Sequence, residues 1–396
     1  MELILQYAHG MKGISVDLCK DWGETTVILS PRDIEYTRLI PTAKEIRKSG
    51  GKLLFDPQLY NPRADHKRLT SYDYWPSNYS TINFLDPKST QKTLSIIKEI
   101  NDSIESESII LPGIYCSSFS QDWINFHSHI INEANIIFPE KDLIATICLS
   151  GEVIRNEENL EKILNVLDTW EVESYYIIAE HSKPGYLSED PLWLSNLLIF
   201  CGGIKLKNKK VIVGYSNHQM VCLASAKVDA IASGTWLNVR TFSTSRFDQP
   251  NPDSESRRTM WYYCPHSLSE YKIVFLDLAK KANILNEFES NQSSHSYASL
   301  LFSGIQPSNT GFNENMSFKH YLNELRIQCL NSTRKTYIET MDSQVLLLEN
   351  AYRTIERFQS YGIRGQQRDF RNAIDVNLAA LTFLGSARGF ALTRSW

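Results

Sequence analysis

The chain has 396 residues, of which 42% are hydrophobic and 22% are charged, and its formal net charge is −4 with a pI near 6.2. This length is enough to bury one large hydrophobic core and a second, smaller one. The slightly acidic balance excludes nucleic-acid binding through a basic surface spread over the whole chain, but it leaves a local basic groove open.

Cysteine usage and hydropathy favour a cytoplasmic protein. The seven cysteines are widely spaced and include no CxxC or CxC pair, which predicts buried, reduced thiols. Cys264 and His266 flank a proline, but no second ligand pair at zinc spacing accompanies them. The first residues lack a basic segment followed by a long apolar run, and no stretch reaches the roughly 18 apolar residues of a spanning helix. We therefore expect a cytoplasmic location, no membrane contact, no cofactor and no metal.

Strand and helix patterns alternate along the first part of the chain. Residues 1–20 hold two short apolar runs around His9-Gly10 and Gly13, which predict a hairpin or plug. Strands are then expected at 25–29, 52–55, 81–84, 109–111, 143–148, 175–179, 211–213 and 230–231, each followed by a helical pattern. Eight such units of about 25 to 35 residues match a (β/α)8 TIM barrel over residues 21–245. A doubly wound open sheet has the same local pattern, but no GxGxxG follows the first strand.

Composition changes after Arg240. Ser, Arg, Asp, Gln, Asn and Pro fill residues 241–258, and helical patterns return at 267–286, 319–329, 343–361 and 369–384. We expect residues 246–396 to be a linker and a C-terminal helical domain appended to the barrel, with a loop at 291–315 that is rich in Ser, Asn and Gly.

Side chains that directly follow barrel strands converge on one mouth, where catalytic groups of this fold lie. That rule selects carboxylates, an imidazole, amides, an arginine and aromatic rings, which together suit a flat polar ligand such as a heterocyclic base. The selected residues are Asp33, Asp56, Gln58, Tyr60, Tyr115, Glu180, His181, Tyr215, Asn217, His218, Trp236, Asn238 and Arg240, and Ser233 and Gly234 add a turn that suits a phosphate.

Structural explanations stay open for several of these residues. Asp56 precedes a proline and so fits a turn, and Ser216 and Asn217 are natural helix N-cap residues. Trp236 and the aromatic cluster at 261–263 fit core or interface packing. Glu180 follows the apolar run Tyr-Tyr-Ile-Ile-Ala, and a carboxylate at the end of a buried strand needs a partner or a raised pKa.

Two segments carry a resemblance to a known family. The segment KLLFDPQLY at 52–60 resembles the Asp-Ser-Gly-Gly-Phe-Gln strand end of tRNA-guanine transglycosylases, and 211–240 resembles their last two barrel strands. The resemblance covers about residues 21 to 245 and implies a barrel that binds a purine or deazapurine, free or within a nucleic acid. It places the base-recognising aspartate at Asp56. The resemblance includes relatives of that family that act on DNA or in anti-phage systems, which diverge from the family's motifs as this chain does.

The sequence departs from that family at two points. The nucleophilic aspartate falls on Ala232, which cannot attack a glycosidic carbon, and the CxCxxC zinc site is missing. We therefore expect Asp56 and Glu180 to bind the base edge, Tyr60 or Tyr215 to stack on it, and His218 and Arg240 to meet the sugar or phosphate. Any cleavage of an N-glycosidic bond would use Asp56, Glu180 or Asp33, with Asp56, Glu180 and His218 as the catalytic candidates.

Two other hypotheses stay open. One is a lyase- or isomerase-type barrel that anchors a phosphorylated small molecule at Ser216 and Ser233-Gly234 and uses Glu180 and His218 for acid/base chemistry. The other is a non-catalytic subunit of a multi-protein complex that docks a protein partner through its C-terminal helical region.

Overall fold

The fold is built on a parallel β-sheet. We describe it from a computed structural model, which covers residues 1–76, 87–249, 259–290 and 296–396. The strands run in the order β3-β2-β1-β9-β8-β7-β6-β4, and β5 also pairs with β6. Their bounds are β1 Glu2–Gln6, β2 Thr25–Leu29, β3 Gly51–Phe55, β4 Ile109–Ile110, β5 Tyr115–Cys116, β6 Leu143–Leu149, β7 Ser174–Ala179, β8 Lys210–Val213 and β9 Ala230–Ser233.

Strand β1 lies between β2 and β9, the next and the last strands of the parallel sheet in chain order. Residue Leu5 in β1 pairs with Val27 in β2 on one side and with Ser233 in β9 on the other, both in parallel register. Residues 1–20, expected as a hairpin or plug, instead contribute this strand and the following helix. The run Glu2–Gln6 is almost wholly buried, and burial on both faces is typical of a strand in a parallel sheet.

The sheet curls so that β3 and β4 face each other across a seam. Two backbone hydrogen bonds span it, from Glu107 N to Leu53 O at 3.2 Å and from Tyr115 N to Tyr60 O at 2.9 Å. Counting β4 and β5 as two pieces of one interrupted strand, the described strands fill eight parallel positions. The strand expected at 81–84 lies outside the described residues. The predicted (β/α)8 fold class is confirmed.

Helices surround this sheet. Their bounds are α1 Lys12–Trp22, α2 Tyr36–Lys48, α3 Pro87–Ile104, α4 Gln121–Ile137, α5 Gly151–Arg155, α6 Glu157–Leu167 and α7 Pro191–Leu206. Helix α7 begins with a proline after Asp190, whose Oδ1 accepts hydrogen bonds from Leu192 N and Trp193 N and so caps the helix. Its residues are buried on nearly every side, because α7 lies between the sheet and the C-terminal helices.

The C-terminal region holds the helices α8 Ile273–Lys281, α9 Glu314–Ser332, α10 Tyr337–Ser360 and α11 Arg371–Ser395, as the helical patterns predict. It also contains an antiparallel hairpin of β10 Trp261–Cys264 and β11 Ser269–Lys272, which the sequence patterns do not predict. A separate apolar cluster, centred on the stacked rings of Phe288 and Phe358 at 3.9 Å, holds the hairpin against α8 and α10. In the described ranges, we find no helix that combines the length and apolar character needed to cross a membrane.

Candidate functional site

Four residues from the predicted list form a closed polar cluster at the carboxyl ends of the strands. Asp56 Oδ1 accepts a hydrogen bond from Gln58 N at 2.9 Å, and Oδ2 accepts one from the Tyr60 hydroxyl at 2.5 Å. Gln58 Nε2 donates to the Tyr215 hydroxyl at 2.8 Å. Gln58 and Tyr215 both have positive φ, at 53° and 51°, a backbone conformation that is uncommon outside glycine. Residues that follow β3 and β8, two strands far apart in the sequence, therefore lie together at the carboxyl ends of the strands.

Burial sets the protonation of Asp56. Its side chain is fully inaccessible to solvent, and this burial raises its pKa to about 7, although the hydrogen bonds from Tyr60 and Gln58 oppose the rise. This shift moves the titration of Asp56 towards neutral pH. This is a suitable property for a general acid or base, but only for a group that can reach a ligand.

Two phenylalanines close the barrel mouth over this cluster. The Phe242 ring lies 5.4 Å from the Tyr60 ring and 5.3 Å from the Tyr215 ring, and Phe247 lies 5.5 Å from Tyr60. All of these rings are buried. Asp56, Gln58 and Tyr60 are therefore closed off from solvent and do not line the open cleft described below, so a base bound in that cleft does not meet the Asp56 carboxylate.

Glu180 lies beside Phe242 rather than beneath it. Its carboxylate accepts a hydrogen bond from the Tyr115 hydroxyl, and its backbone pairs with Phe242. The backbone oxygen of Glu180 also accepts a hydrogen bond from Trp193 Nε1 at 2.8 Å, which fixes the end of β7. Glu180 is partly exposed but is not part of the open cleft described next.

A large open cleft lies next to the closed mouth, between the loops after β1, β2 and β9 and the C-terminal hairpin. Its volume is about 1430 Å³, larger than the roughly 300 to 1,000 Å³ of most small-molecule sites. Its walls include the aromatic residues Trp236, Trp261, Tyr263, Phe318 and Tyr321. Of the predicted site residues, Trp236, Asn238 and Arg240 line it.

The cleft is basic although the whole chain is acidic. Seven described lining residues are cations, namely Arg32, Lys67, Arg68, Arg240, Arg246, Lys272 and Arg368, whereas four are carboxylates, namely Glu35, Asp248, Glu270 and Glu314. Because the protein walls have a low dielectric constant, the electric field of these cations is concentrated within the cleft. The local charge thus favours an anionic ligand.

The cations crowd together on the barrel side of the cleft. His66 is half-buried there, and its pKa is lowered to about 4 by burial and by the charges of Arg32 and Arg68. The pKa of Arg246 is also lowered, by burial and then by Arg32. Since like charges cause part of both shifts, a bound anion would relieve an existing repulsion.

On the opposite side, one carboxylate holds two arginines. Glu270 Oε2 lies 2.5 Å from Arg368 Nη1, and Oε1 lies 3.4 Å from Arg240 Nη1. Burial opposes the charge of Glu270, but Arg368 and Arg240 hold its pKa below the usual value. The Arg240 guanidinium also lies 3.4 Å from the centre of the Tyr321 ring. Arg240 is therefore fixed and largely neutralised by its surroundings.

Other predicted site residues are buried away from the cleft. His218 is surrounded by the rings of Tyr186, Tyr263, Tyr321 and Phe370, and burial lowers its pKa to about 4, so it is neutral at physiological pH. This packing is not that of a residue that touches a ligand in the cleft.

The turns expected to hold phosphate are used in the fold itself. Asn217 caps the 3₁₀ turn that follows β8, with Oδ1 accepting from Gln219 N at 2.9 Å. The Ser216 hydroxyl donates to Val213 O at 2.9 Å. Gly234 O accepts from Arg240 Nε at 2.8 Å, and Ser233 is fully buried. Neither Ser216 nor Ser233-Gly234 lines the cleft.

Sequence reasoning missed most of the cleft. His66 and Arg68 come from a polar loop after β3, Arg246 from the expected linker, and Lys272 and Arg368 from the C-terminal region. The rule that selects residues directly after strands does not reach any of them. The number of cations in these loops was the available signal in the sequence. It does not indicate which loops lie together in the fold. In the part of the chain that the structure describes, no group of three or more metal-ligating side chains occurs.

Comparisons with known proteins add little to this geometry. No family model and no curated protein matches the chain. Solved structures with a similar arrangement include the 3-dehydroquinate dehydratase of Aquifex aeolicus VF5, at 10% identity and a TM-score of 0.33 over 63% of this chain and 94% of that one. The chitinase catalytic domain of Pyrococcus furiosus has 9% identity and a TM-score of 0.36, over 58% and 82% of the two chains. The endo-1,4-beta-xylanase XylE of Penicillium canescens has 9% identity and a TM-score of 0.36, over 59% and 82%. Likeness at this level carries no information on reaction or ligand, and the barrel assignment rests on the strand order.

Proposed function

We propose that this barrel binds a phosphate-bearing ligand with a flat ring, of the nucleotide class, in the basic cleft. The observation that carries the proposal is the crowding of Arg32, Arg68 and Arg246 around His66 on one wall of the cleft. Phosphate oxygens are the partners that such an arginine cluster suits, because each guanidinium presents several donors in a fixed plane.

The ring of the ligand would stack on Trp236. This side chain lines the cleft and is partly exposed, and its Nε1 donates to His9 O at 3.1 Å, which fixes the orientation of the indole. Phe318 supports it from one edge at 4.9 Å between ring centres. Stacking of a base on an aromatic side chain contributes about 1 to 3 kcal/mol.

The proposal is one of binding rather than base exchange. Attack on an N-glycosidic bond, as the resemblance to tRNA-guanine transglycosylases implies, needs a carboxylate beside the anomeric carbon. Ala232 provides none, Asp56 is sealed under Phe242, Glu180 does not line the cleft, and Asp33 lines only the smaller cavity that adjoins it. Membership of a nucleic-acid modification or anti-phage system remains compatible with a binding subunit of this kind.

The test is a set of thermal-shift and calorimetric titrations with GDP, guanosine, ribose 5-phosphate and inorganic pyrophosphate at low ionic strength. We expect GDP to stabilise the protein most, guanosine and ribose 5-phosphate each to bind at least tenfold more weakly, and GDP binding to weaken as salt is added. Arg68→Gln should weaken GDP and pyrophosphate together, and Trp236→Leu should weaken GDP alone. Arg353→Gln is the matched control, because Arg353 is highly exposed on α10 and does not line the cleft.

Two results would contradict the proposal. If neither GDP nor pyrophosphate stabilises the protein, the cleft is not a phosphate site. If ribose 5-phosphate binds as tightly as GDP and Trp236→Leu changes nothing, the ring has no role, and the phosphate-anchored small-molecule hypothesis replaces the nucleotide one.

A further inference from the structure

A second, smaller cavity adjoins the basic cleft. Its volume is about 400 Å³, and its lining shares His9, Glu35 and Arg68 with the cleft. Asp33, which directly follows β2, lines the smaller cavity but not the cleft. The shared residues place the two spaces side by side.

Asp33 has one carboxylate oxygen that is not used within the protein. Oδ1 accepts hydrogen bonds from His9 N at 3.2 Å and from Arg32 Nη1 at 3.0 Å. Oδ2 is buried, and among the described residues it has no hydrogen-bond partner. An unsatisfied buried acceptor is costly, about 1 to 3 kcal/mol and more for a charged group, so a donor from a ligand would be strongly favoured there. Burial raises the pKa of Asp33, which is consistent with an acceptor that lacks its full set of donors.

Two of the three described cations that line the smaller cavity are paired with carboxylates, and the third, Arg68, also lines the cleft. Lys12 lies 2.6 Å from Glu45, and Arg38 lies 3.9 Å from Glu35. Apart from Arg68, the unmatched group in the smaller cavity is therefore the Asp33 acceptor, whereas the described cleft residues without an ion pair include the cations Arg68 and Arg246. The smaller cavity therefore suits a hydrogen-bond donor of a ligand, and the cleft suits its anionic group.

The backbone of His9 connects Asp33 in the smaller cavity with Trp236 in the cleft. Its N–H donates to Asp33, and its oxygen accepts from Trp236 Nε1. Since β1 lies between β2 and β9 in the sheet, its loop connects the carboxylate after β2 with the indole after β9. Trp236 and Asp33 are thus each one hydrogen bond away from the same residue, and Arg68 lines both spaces beside them.

We propose that the smaller cavity is a sugar subsite, in which Asp33 Oδ2 accepts a hydrogen bond from a hydroxyl group of the ligand whose phosphates lie in the basic cleft. This inference rests on the proposed function and names the ligand class more closely, as a phosphorylated ribonucleoside. Asp33 then selects for the sugar, Trp236 holds the base, and Arg68 and its neighbours hold the phosphates.

The experiment compares GDP, 2′,3′-dideoxy-GDP and inorganic pyrophosphate on the full-length wild-type protein and on Asp33→Asn. The wild type should bind GDP about tenfold to a hundredfold more tightly than the dideoxy analogue, which is the usual contribution of a hydrogen bond to a charged group. In Asp33→Asn, which keeps the shape and an oxygen for His9 N, this preference should fall to within about twofold. Pyrophosphate should bind the variant as tightly as the wild type or more tightly, because Arg32 loses its partner charge.

The outcomes separate the two proposals. Equal binding of GDP and dideoxy-GDP by the wild type overturns the sugar subsite and leaves the nucleotide proposal standing. A lack of GDP and pyrophosphate binding by the wild type overturns both. The wild-type comparison does not depend on how well the variant folds, and thermal unfolding without ligand checks that Asp33→Asn is folded. Loss of pyrophosphate binding in a folded variant would show instead that Asp33 acts only by positioning Arg32, and would overturn the subsite.

Discussion

The sealed carboxyl group of Asp56 makes the stability of this protein depend on pH in a defined way. Because burial raises its folded-state pKa to about 7, above the ordinary value of 3.8, the folded state holds this proton over a range in which the unfolded state has lost it. Stability from this group is therefore complete below pH 4 and is lost as the pH rises to about 7. The slope is about 1.4 kcal/mol per pH unit, and the total is on the order of 4 kcal/mol.

The substitution Asp56→Asn removes this dependence, because the amide is neutral at every pH and keeps an oxygen for the Gln58 N–H. Relative to wild type, the variant should gain about 1.4 kcal/mol for each pH unit between 4.5 and 6.5 and should show no further relative gain above pH 8. Urea-unfolding midpoints at pH 4.5, 5.5, 6.5, 7.5 and 8.5 measure the difference. Asp342→Asn, at an exposed position on α10, serves as the control. Parallel pH profiles of wild type and Asp56→Asn would refute this account of the burial.

Three further predictions follow from contacts around the cleft. Gly234→Ala should destabilise the protein severely, because an added Cβ would lie 2.2 Å from Gln6 O, whereas Gly13→Ala meets no atom within 4 Å and should be neutral or slightly stabilising in thermal unfolding. Glu270→Gln leaves the buried Arg240 and the half-buried Arg368 without a charge partner and should lower the free energy of unfolding by about 3 to 5 kcal/mol in urea titrations. Pyrophosphate binding should take up a proton at His66, whose pKa of about 4 must rise beside an anion, so affinity should increase as the pH falls towards 5, and calorimetry in two buffers of different ionisation enthalpy should detect the proton.

The barrel was predictable because its strands carry the plainest signal in the sequence. Runs such as those at 143–149 and 175–179 are almost continuously apolar and are followed by a polar residue, as is typical of strands buried on both faces. The first strand was missed because Glu2–Gln6 is a single short run whose partners, β2 and β9, begin 23 and 228 residues later. A strand that closes a barrel has no local neighbour in the sequence that would identify it.

The candidate site could be predicted only in part, for a similar reason. Position after a strand correctly indicated that Asp56, Gln58, Tyr60 and Tyr215 lie together, since the strands themselves fix those positions. It could not indicate that Phe242 covers them. That ring comes from a segment whose polar composition is typical of a linker, and its packing is decided by tertiary contacts alone.

The distribution of paired and unpaired charges determines which way a ligand should lie in the cleft. On the hairpin side, Arg240 and Arg368 share the carboxylate of Glu270. On the barrel side, Arg246 donates to Leu237 O and to the backbone and hydroxyl oxygens of Thr241, and Arg68 donates to Arg32 O, all of them neutral acceptors. In the described ranges, neither of these two arginines forms an ion pair, so their charges remain available to a ligand. The phosphates should therefore face Arg68 and Arg246, beside the cavity that holds Asp33. A ligand in the opposite orientation would place its negative charge beside the Glu270 carboxylate that these two arginines already share, and would leave the repulsion around His66 unrelieved.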